Sequence, residues 1–341
     1  MNSFSHSKKA ISIIIILITI FGIWQYSQKR TTQNPITNED VTISLKWVNQ
    51  AQFAGIFVAK DLDFYKKTGL TVSIDEFKSG DSVMDDLKSG SSQFGLMSAN
   101  EFLGYYADGE KIKAIAAFYQ VSPYMVASLK NNPTTSPVEL KGKRLGIKGG
   151  NGAEANAVYD LLLTSGGLDA DDAEFIVLPL DSSEKEDLLE ERVDVIGFYR
   201  TRLYQFDKDG LQYQALYPEQ YGAALYNDVL VVTDDYLEEH EDAIANFVHA
   251  TIDGWNYAYK NKEEAIAITL RYVTEDIYKD IDYERYILSQ SESLMKPLGE
   301  RGEVGMMKLK DWQRFHDTLY ARKAFTKPFD VADSFTNRFL P

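Results

Sequence analysis

From residue 41 onward the chain alternates between strand-like and helix-like segments, completes that pattern once, and then starts it again. Val41–Trp47 alternates like a strand, and Ala54–Lys66 carries Ile56, Phe57, Leu62 and Phe64 at helical spacing. "GLTVSIDEF" reads as a strand, "DSVMDDLKSG" as a short helix, "QFGLMSAN" as a buried strand and "EFLGYYADG" as a helix closed by Gly109. "KIKAIAAFYQ" and "YMVASLK" follow as strands. After the turn-rich "NNPTTSPVELKGK" the pattern restarts: strand 144–147, helix 153–165, strand 174–178, helix 184–191 and strands 193–198 and 212–217. "DVLVVT" is one more strand, and from Asp234 the chain is nearly all helical. Such alternation implies α/β architecture with parallel sheets. Two runs predict two lobes: residues 41–128 with 225–341 as a discontinuous first lobe, and 129–224 as the second.

The first 40 residues form a separate object. Lys8 and Lys9 precede "AISIIIILITIFGIWQYSQ", and the next charge is Lys29. As a helix this stretch would span roughly 28 Å, close to a bilayer core. Residues 1–9 then read as a cytoplasmic tail, 10–28 as a transmembrane signal anchor or a cleaved signal peptide, and 29–40 as a polar linker. The body is thereby expected outside the cytoplasm, touching the membrane through this helix only. The 341 residues carry a net charge of −15; with four basic and two acidic residues in the first 40, the remainder holds −17. Such a body repels phosphate backbones, so nucleic acid is not an expected partner. Cysteine is absent from the sequence, which excludes zinc–thiolate and iron–sulfur ligation. No metal or organic cofactor is expected.

Open α/β sheets bind ligands beyond the carboxyl ends of their strands. Applied here, that rule selects five segments: 47–52, 98–100, 119–123, 148–151 and 199–202. Trp47 offers a flat π face for stacking, or equally a residue for core packing. Asn49, Gln50 and Gln52 can each donate and accept; helix capping is their other reading. Asn100, Gln120 and Ser122 add polar groups at two further strand ends. "RLGIKGGNGAEANAVYDLL" is a strand, a glycine-rich turn and a helix. The amides of Gly149, Gly150 and Asn151 suit an anion there, or the glycines serve only a tight turn. The segment lacks the G-K-[ST] ending of a P-loop. Neither a nucleophile elbow nor H-E-x-x-H occurs.

The motifs "KWVNQAQFAGIFVAK", "QFGLMSANEFL", "YQVSP", "SPVELKGKRLGIKGG", "RVDVIGFY" and "GWNYAY" follow one another in order. Together they resemble the solute-binding proteins of ABC transporters, in the branch related to thiamine-pyrimidine synthases and sulfonate-binding proteins. The likeness runs from about Val41 to at least Tyr259. It implies a two-lobed periplasmic-binding-protein fold of type II that closes over a small heteroaromatic or anionic ligand and docks on an ABC permease. "YPEQYGAALYNDVLVVT" and "LKDWQRFHDTLY" also resemble extracytoplasmic input domains of sensor kinases, which implies a membrane signalling protein as the alternative partner.

Three departures from the family pattern bear on the ligand. Asn49 stands where relatives often keep histidine. Arg202-Leu203 stands where they often carry Asn-Glu, which leaves Arg200 or Arg202 for an anionic group. The synthases resemble enzymes with a cysteine-rich iron motif, and this chain has no cysteine. A binding protein without catalytic residues is therefore expected. The resemblance also implies that Tyr199 closes from the second lobe and that Asp228 is a cleft acid accepting from a ligand N–H.

Overall fold

The computed structural model describes residues 39–341 except Ser79, Gly150, Asn151, Leu180, Ala223, Ala224, 297–303 and Arg322. The expected tail, membrane or signal helix and most of the expected linker lie outside these residues. Glu39 and Asp40 do not continue a linker: they open strand β1, where Glu39 pairs with Leu70. No helix among the described residues is long and apolar enough to cross a membrane.

Among the described residues ten strands form two five-stranded sheets. The first holds β1 (Glu39–Ser44), β2 (Leu70–Asp75), β3 (Phe94–Met97), β4 (Ile112–Tyr119) and β10 (Asn227–Thr233), in the order β2-β1-β3-β10-β4. The second holds β5 (Tyr124–Leu129), β6 (Arg144–Lys148), β7 (Glu174–Leu178), β8 (Val195–Tyr199) and β9 (Tyr213–Leu216), in the order β7-β6-β8-β5-β9. The hydrophobic runs of β3, β4, β5, β8 and β10 are buried on both faces, as sheets covered by helices require.

One expected boundary moves. The pattern places residues 124–128 in the first lobe, but β5 pairs with β8 and β9 of the second sheet. The chain therefore crosses over residues 120–123, not at 129. Periodicity could not show this, because β4 and β5 are equally apolar and only four residues separate them. Neither sheet is wholly parallel: β5 runs antiparallel to β8 and β9, and β10 antiparallel to β3 and β4. Each antiparallel strand is the first one after a crossing.

The helix expected over 54–66 is two helices, Ala54–Asp61 and Phe64–Lys67. Asp63 breaks it with φ 58°, a left-handed conformation that a short polar side chain tolerates. Ala54–Asp61 lies against the long helix Glu241–Lys260 through facing glycines. A Cβ on Gly254 would stand 2.1 Å from the Gly55 carbonyl oxygen, and one on Gly55 2.3 Å from the Trp255 ring. Backbone cannot yield as a flexible side chain does. Gly254→Ala is thus expected to destabilise by about 2 kcal/mol despite alanine's better helix propensity. Urea unfolding measures it; an unchanged midpoint would mean that the two helices separate freely.

Candidate functional site

A cavity of about 290 Å³ lies between the carboxyl ends of strands from both sheets. One wall is the segment after β1. That strand ends at Ser44, and the chain then bends through Lys46, Trp47 and Gln50 into the turn Ala51–Phe53. Trp47 is 38% exposed and stacks on Phe77, ring centroids 5.7 Å apart and planes inclined by 20°. Both rings line the cavity. Trp47 is therefore no core residue.

Behind the rings runs a continuous polar chain. Gln50 Nε2 donates to Gln52 Oε1 at 2.9 Å, and Gln52 Nε2 donates to Asp228 Oδ1 and Oδ2 at 2.9 and 3.1 Å. Lys46 Nζ lies 2.8 Å from Asp228 Oδ1 and also bonds Asn227 Oδ1. Asn227 Nδ2 donates to Glu154 Oε1 at 2.8 Å. Ser122 Oγ donates to the same oxygen at 2.8 Å, and Tyr199 Oη donates to Glu154 Oε2 at 2.5 Å. Glu154 sits in the first turn of helix Gly152–Ser165, so the chain passes from one sheet's layer to the other. Asp228 holds φ 48°, a conformation uncommon outside glycine, in the middle of this network.

Burial sets the electrostatics. It raises the Glu154 carboxyl above its ordinary range, against the opposing pull of Lys46 and of the bonds from Tyr199 and Ser122. Burial works against the charge on Lys46, but Asp228 and Glu154 overcome it and its pKa lies above the usual value. The Tyr199 hydroxyl is pushed well up by burial and by Glu154, which keeps it a donor.

Of the sequence-predicted residues, Trp47, Gln50, Gln52, Asn100, Tyr199 and Arg202 line the cavity. Ser122 and Asp228 stand one bond behind the lining, both buried. Asp228 does not itself line the cavity, and its oxygens accept from Lys46 and Gln52. Asn49 is placed elsewhere. It is buried, and its Nδ2 donates to the Tyr272 carbonyl at 2.9 Å, tying the wall to the helical tail. Gln120 donates to the Ala117 carbonyl and Gly149 is exposed; neither lines the cavity. Gly150 and Asn151 lie outside the described residues. Arg200 is not available to an anion. It is buried against the Ser122 carbonyl, Glu219 and the Tyr217 ring.

Strand-end reasoning missed Lys46 and Glu154, which hold the centre of the network, and Phe77, Glu101, Tyr278 and Tyr283, which line the cavity. Glu154 sits in a segment read only for its glycines. Tyr278 and Tyr283 come from the helical tail, which the strand-end rule does not reach. Burial raises the hydroxyls of both tyrosines above their ordinary range, opposed by the charge of Arg202, which is exposed at this edge.

Comparison with known proteins agrees with the two-sheet geometry. A family model described as NMT1/THI5 like matches residues 50–265. The chain belongs to the NMT1/THI5-like family. It is 24% identical to the riboflavin-binding protein RibY of Chloroflexus aurantiacus, over 89% of this chain and 87% of that protein. It is 20% identical to the 4-amino-5-hydroxymethyl-2-methylpyrimidine phosphate synthase of Legionella pneumophila, over 88% of this chain and 92% of that enzyme. Among solved structures, a sulfonate-binding protein SsuA from Methylobacillus flagellatus superposes with a TM-score of 0.68 at 17% identity. That superposition covers 89% of this chain and 94% of the other. The fold is that of the periplasmic binding proteins, two α/β lobes about a cleft.

Proposed function

We propose that this protein is an extracytoplasmic solute-binding protein that captures a small, flat heteroaromatic compound and delivers it to an ABC permease. The observation that carries this reading is the half-open Trp47–Phe77 stack facing a buried chain of amides, hydroxyls and charges. A planar ring fits such a site: its faces meet aromatic rings and its edge meets donors and acceptors. The two curated relatives support the class, since riboflavin and the synthase's product both contain a pyrimidine ring.

Binding is favoured over catalysis by the chemistry present. Of the histidines in the described residues, His240 pairs with Glu39 and His316 with Asp317; neither these nor His249 lines the cavity. The described residues hold no cluster of three or more histidine, cysteine or acidic side chains suited to a metal. Arg202 is proposed to meet an anionic substituent at the rim, because no ion pair engages it among the described residues. The membrane tether belongs to the same proposal and rests on residues 10–28.

Native mass spectrometry of the purified protein, followed by titration calorimetry with riboflavin and simple pyrimidines, tests the reading. Trp47→Ala is expected to weaken the ligand so identified roughly tenfold, the equivalent of about 1.4 kcal/mol of lost stacking. Undiminished affinity would remove Trp47 from the site.

A further inference from the structure

We propose that Lys46 selects the ligand by charge, admitting heteroaromatics that present ring carbonyls and turning away those that present amino groups or cations. The inference rests on the reading of the cleft as a heteroaromatic site and narrows its ligand class.

Lys46 stands two residues beyond the end of β1 and lines the cavity. Its side chain is 12% exposed. An ammonium has three N–H donors and no acceptor. Two of them are used, toward Asp228 and Asn227. Among the described residues no group takes the third, which is left to whatever enters the cavity, so this part of the cleft asks its ligand for an acceptor.

The carboxylates nearby do not reverse this. A ligand ammonium or amidine would pair with Asp228 or Glu154 in a site lacking Lys46. Here Lys46 occupies that position. Both Asp228 oxygens are engaged by Lys46 and Gln52. Both Glu154 oxygens accept from protein groups: Ser122 and Asn227 on Oε1, Tyr199 on Oε2. Glu101 and Glu184 also line the cavity. Glu101 accepts from the Ser98 backbone at 3.0 Å as the cap of its own helix. Lys148, the other lysine of the lining, is spent on Asp187 at 2.8 Å. A cation entering beside Lys46 would thus be placed against its ammonium, whereas a ring carbonyl there would complete its donor set.

Two small rings of the same shape separate the cases: uracil, with two ring carbonyls, and 2,4-diaminopyrimidine, with amino groups in their place. Calorimetry would use the full chain in wild-type, Lys46→Met and Lys46→Met/Asp228→Asn forms, with riboflavin as a third ligand. The double variant removes both charges, so it is not left with an unpaired buried carboxylate if the single variant folds poorly. The wild type is expected to bind uracil at least ~10-fold more tightly than the diamine, and both variants to lose or invert that preference. A wild-type preference for the diamine, or a preference unchanged in the variants, overturns the role of Lys46. Riboflavin binding with no discrimination between the pyrimidines overturns it too and leaves the heteroaromatic reading standing. If the wild type binds none of the three, that broader reading falls and this inference with it.

Discussion

Glu154→Ala is expected to lower stability by about 4 kcal/mol and to abolish ligand capture. The substitution strands two buried donors, Ser122 Oγ and Asn227 Nδ2, together with the half-buried Tyr199 Oη. Each buried polar group left without a partner costs about 1–3 kcal/mol. Removing one member of a buried charged cluster costs about 3–5 kcal/mol in comparable cases. Lys46 also loses one of the three carboxylates, Asp228, Glu154 and Glu101, that hold it charged against burial. For a body of this size the melting midpoint should fall on the order of 10 °C. Glu154→Gln keeps the shape and one carbonyl acceptor, so a loss of roughly half that size is expected. Scanning calorimetry reads the midpoint and titration calorimetry the capture. Full binding by a folded Glu154→Ala protein would show that this chain of bonds only supports the fold.

The second large effect is a stability profile that falls toward alkaline pH because of Glu284. Its carboxyl is wholly buried beside the Ala51–Phe53 turn, where Oε2 accepts the Ala51 N–H and Oε1 has no partner. Burial pushes its pKa up to about 8, opposed by the Ala51 bond and assisted by Asp280. The folded protein therefore keeps a proton that the unfolded chain releases near 4.5. The stability carried by that proton is complete below about pH 4.5 and is lost as pH rises to about 8. Each tenfold gain in proton affinity on folding is worth about 1.4 kcal/mol, so the full window holds on the order of 5 kcal/mol. Glu284→Gln retains an acceptor for Ala51 and cannot ionise. Denaturant unfolding at a series of pH values should show the wild type weakening from pH 5 to pH 8.5 and the variant weakening clearly less, the remainder coming from groups such as Glu154. Parallel profiles would mean that water reaches Glu284. Because Ala51 directly follows Gln50 on the cavity wall, the same titration is expected to loosen ligand binding at high pH.

Much of the architecture was legible because strands and helices have periods that a sequence displays. The runs 70–75, 94–97, 112–119 and 227–233 stand out as apolar segments between turn signals, and all are strands. The rule that ligands lie beyond strand ends led to Trp47, Gln50, Gln52 and Tyr199, which do line the cavity. It failed at Asn49, Gln120 and Gly149 for a common reason. A strand end supplies several polar residues, and which one faces the cleft depends on the local turn. Asn49 points to the Tyr272 carbonyl, 223 residues away in sequence. No periodicity reports such a contact.

By itself, the sequence determined that this chain would bury two separate strand–helix runs, because its apolar residues recur at the two regular spacings that secondary structure can bury. It also determined a strongly acidic body and, lacking cysteine, one without thiolate chemistry. Only the tertiary structure decided that β5 belongs to the second sheet, since pairing depends on which edges the crossings bring together. It likewise decided the character of the cleft. Lys46 and Asp228 are 182 residues apart, and Glu154 lies between them in sequence on the opposite sheet's layer. Their charges act on one another only because the two layers close over a region that excludes water. That contact makes a lysine, two acids and an asparagine into a single bonded cluster.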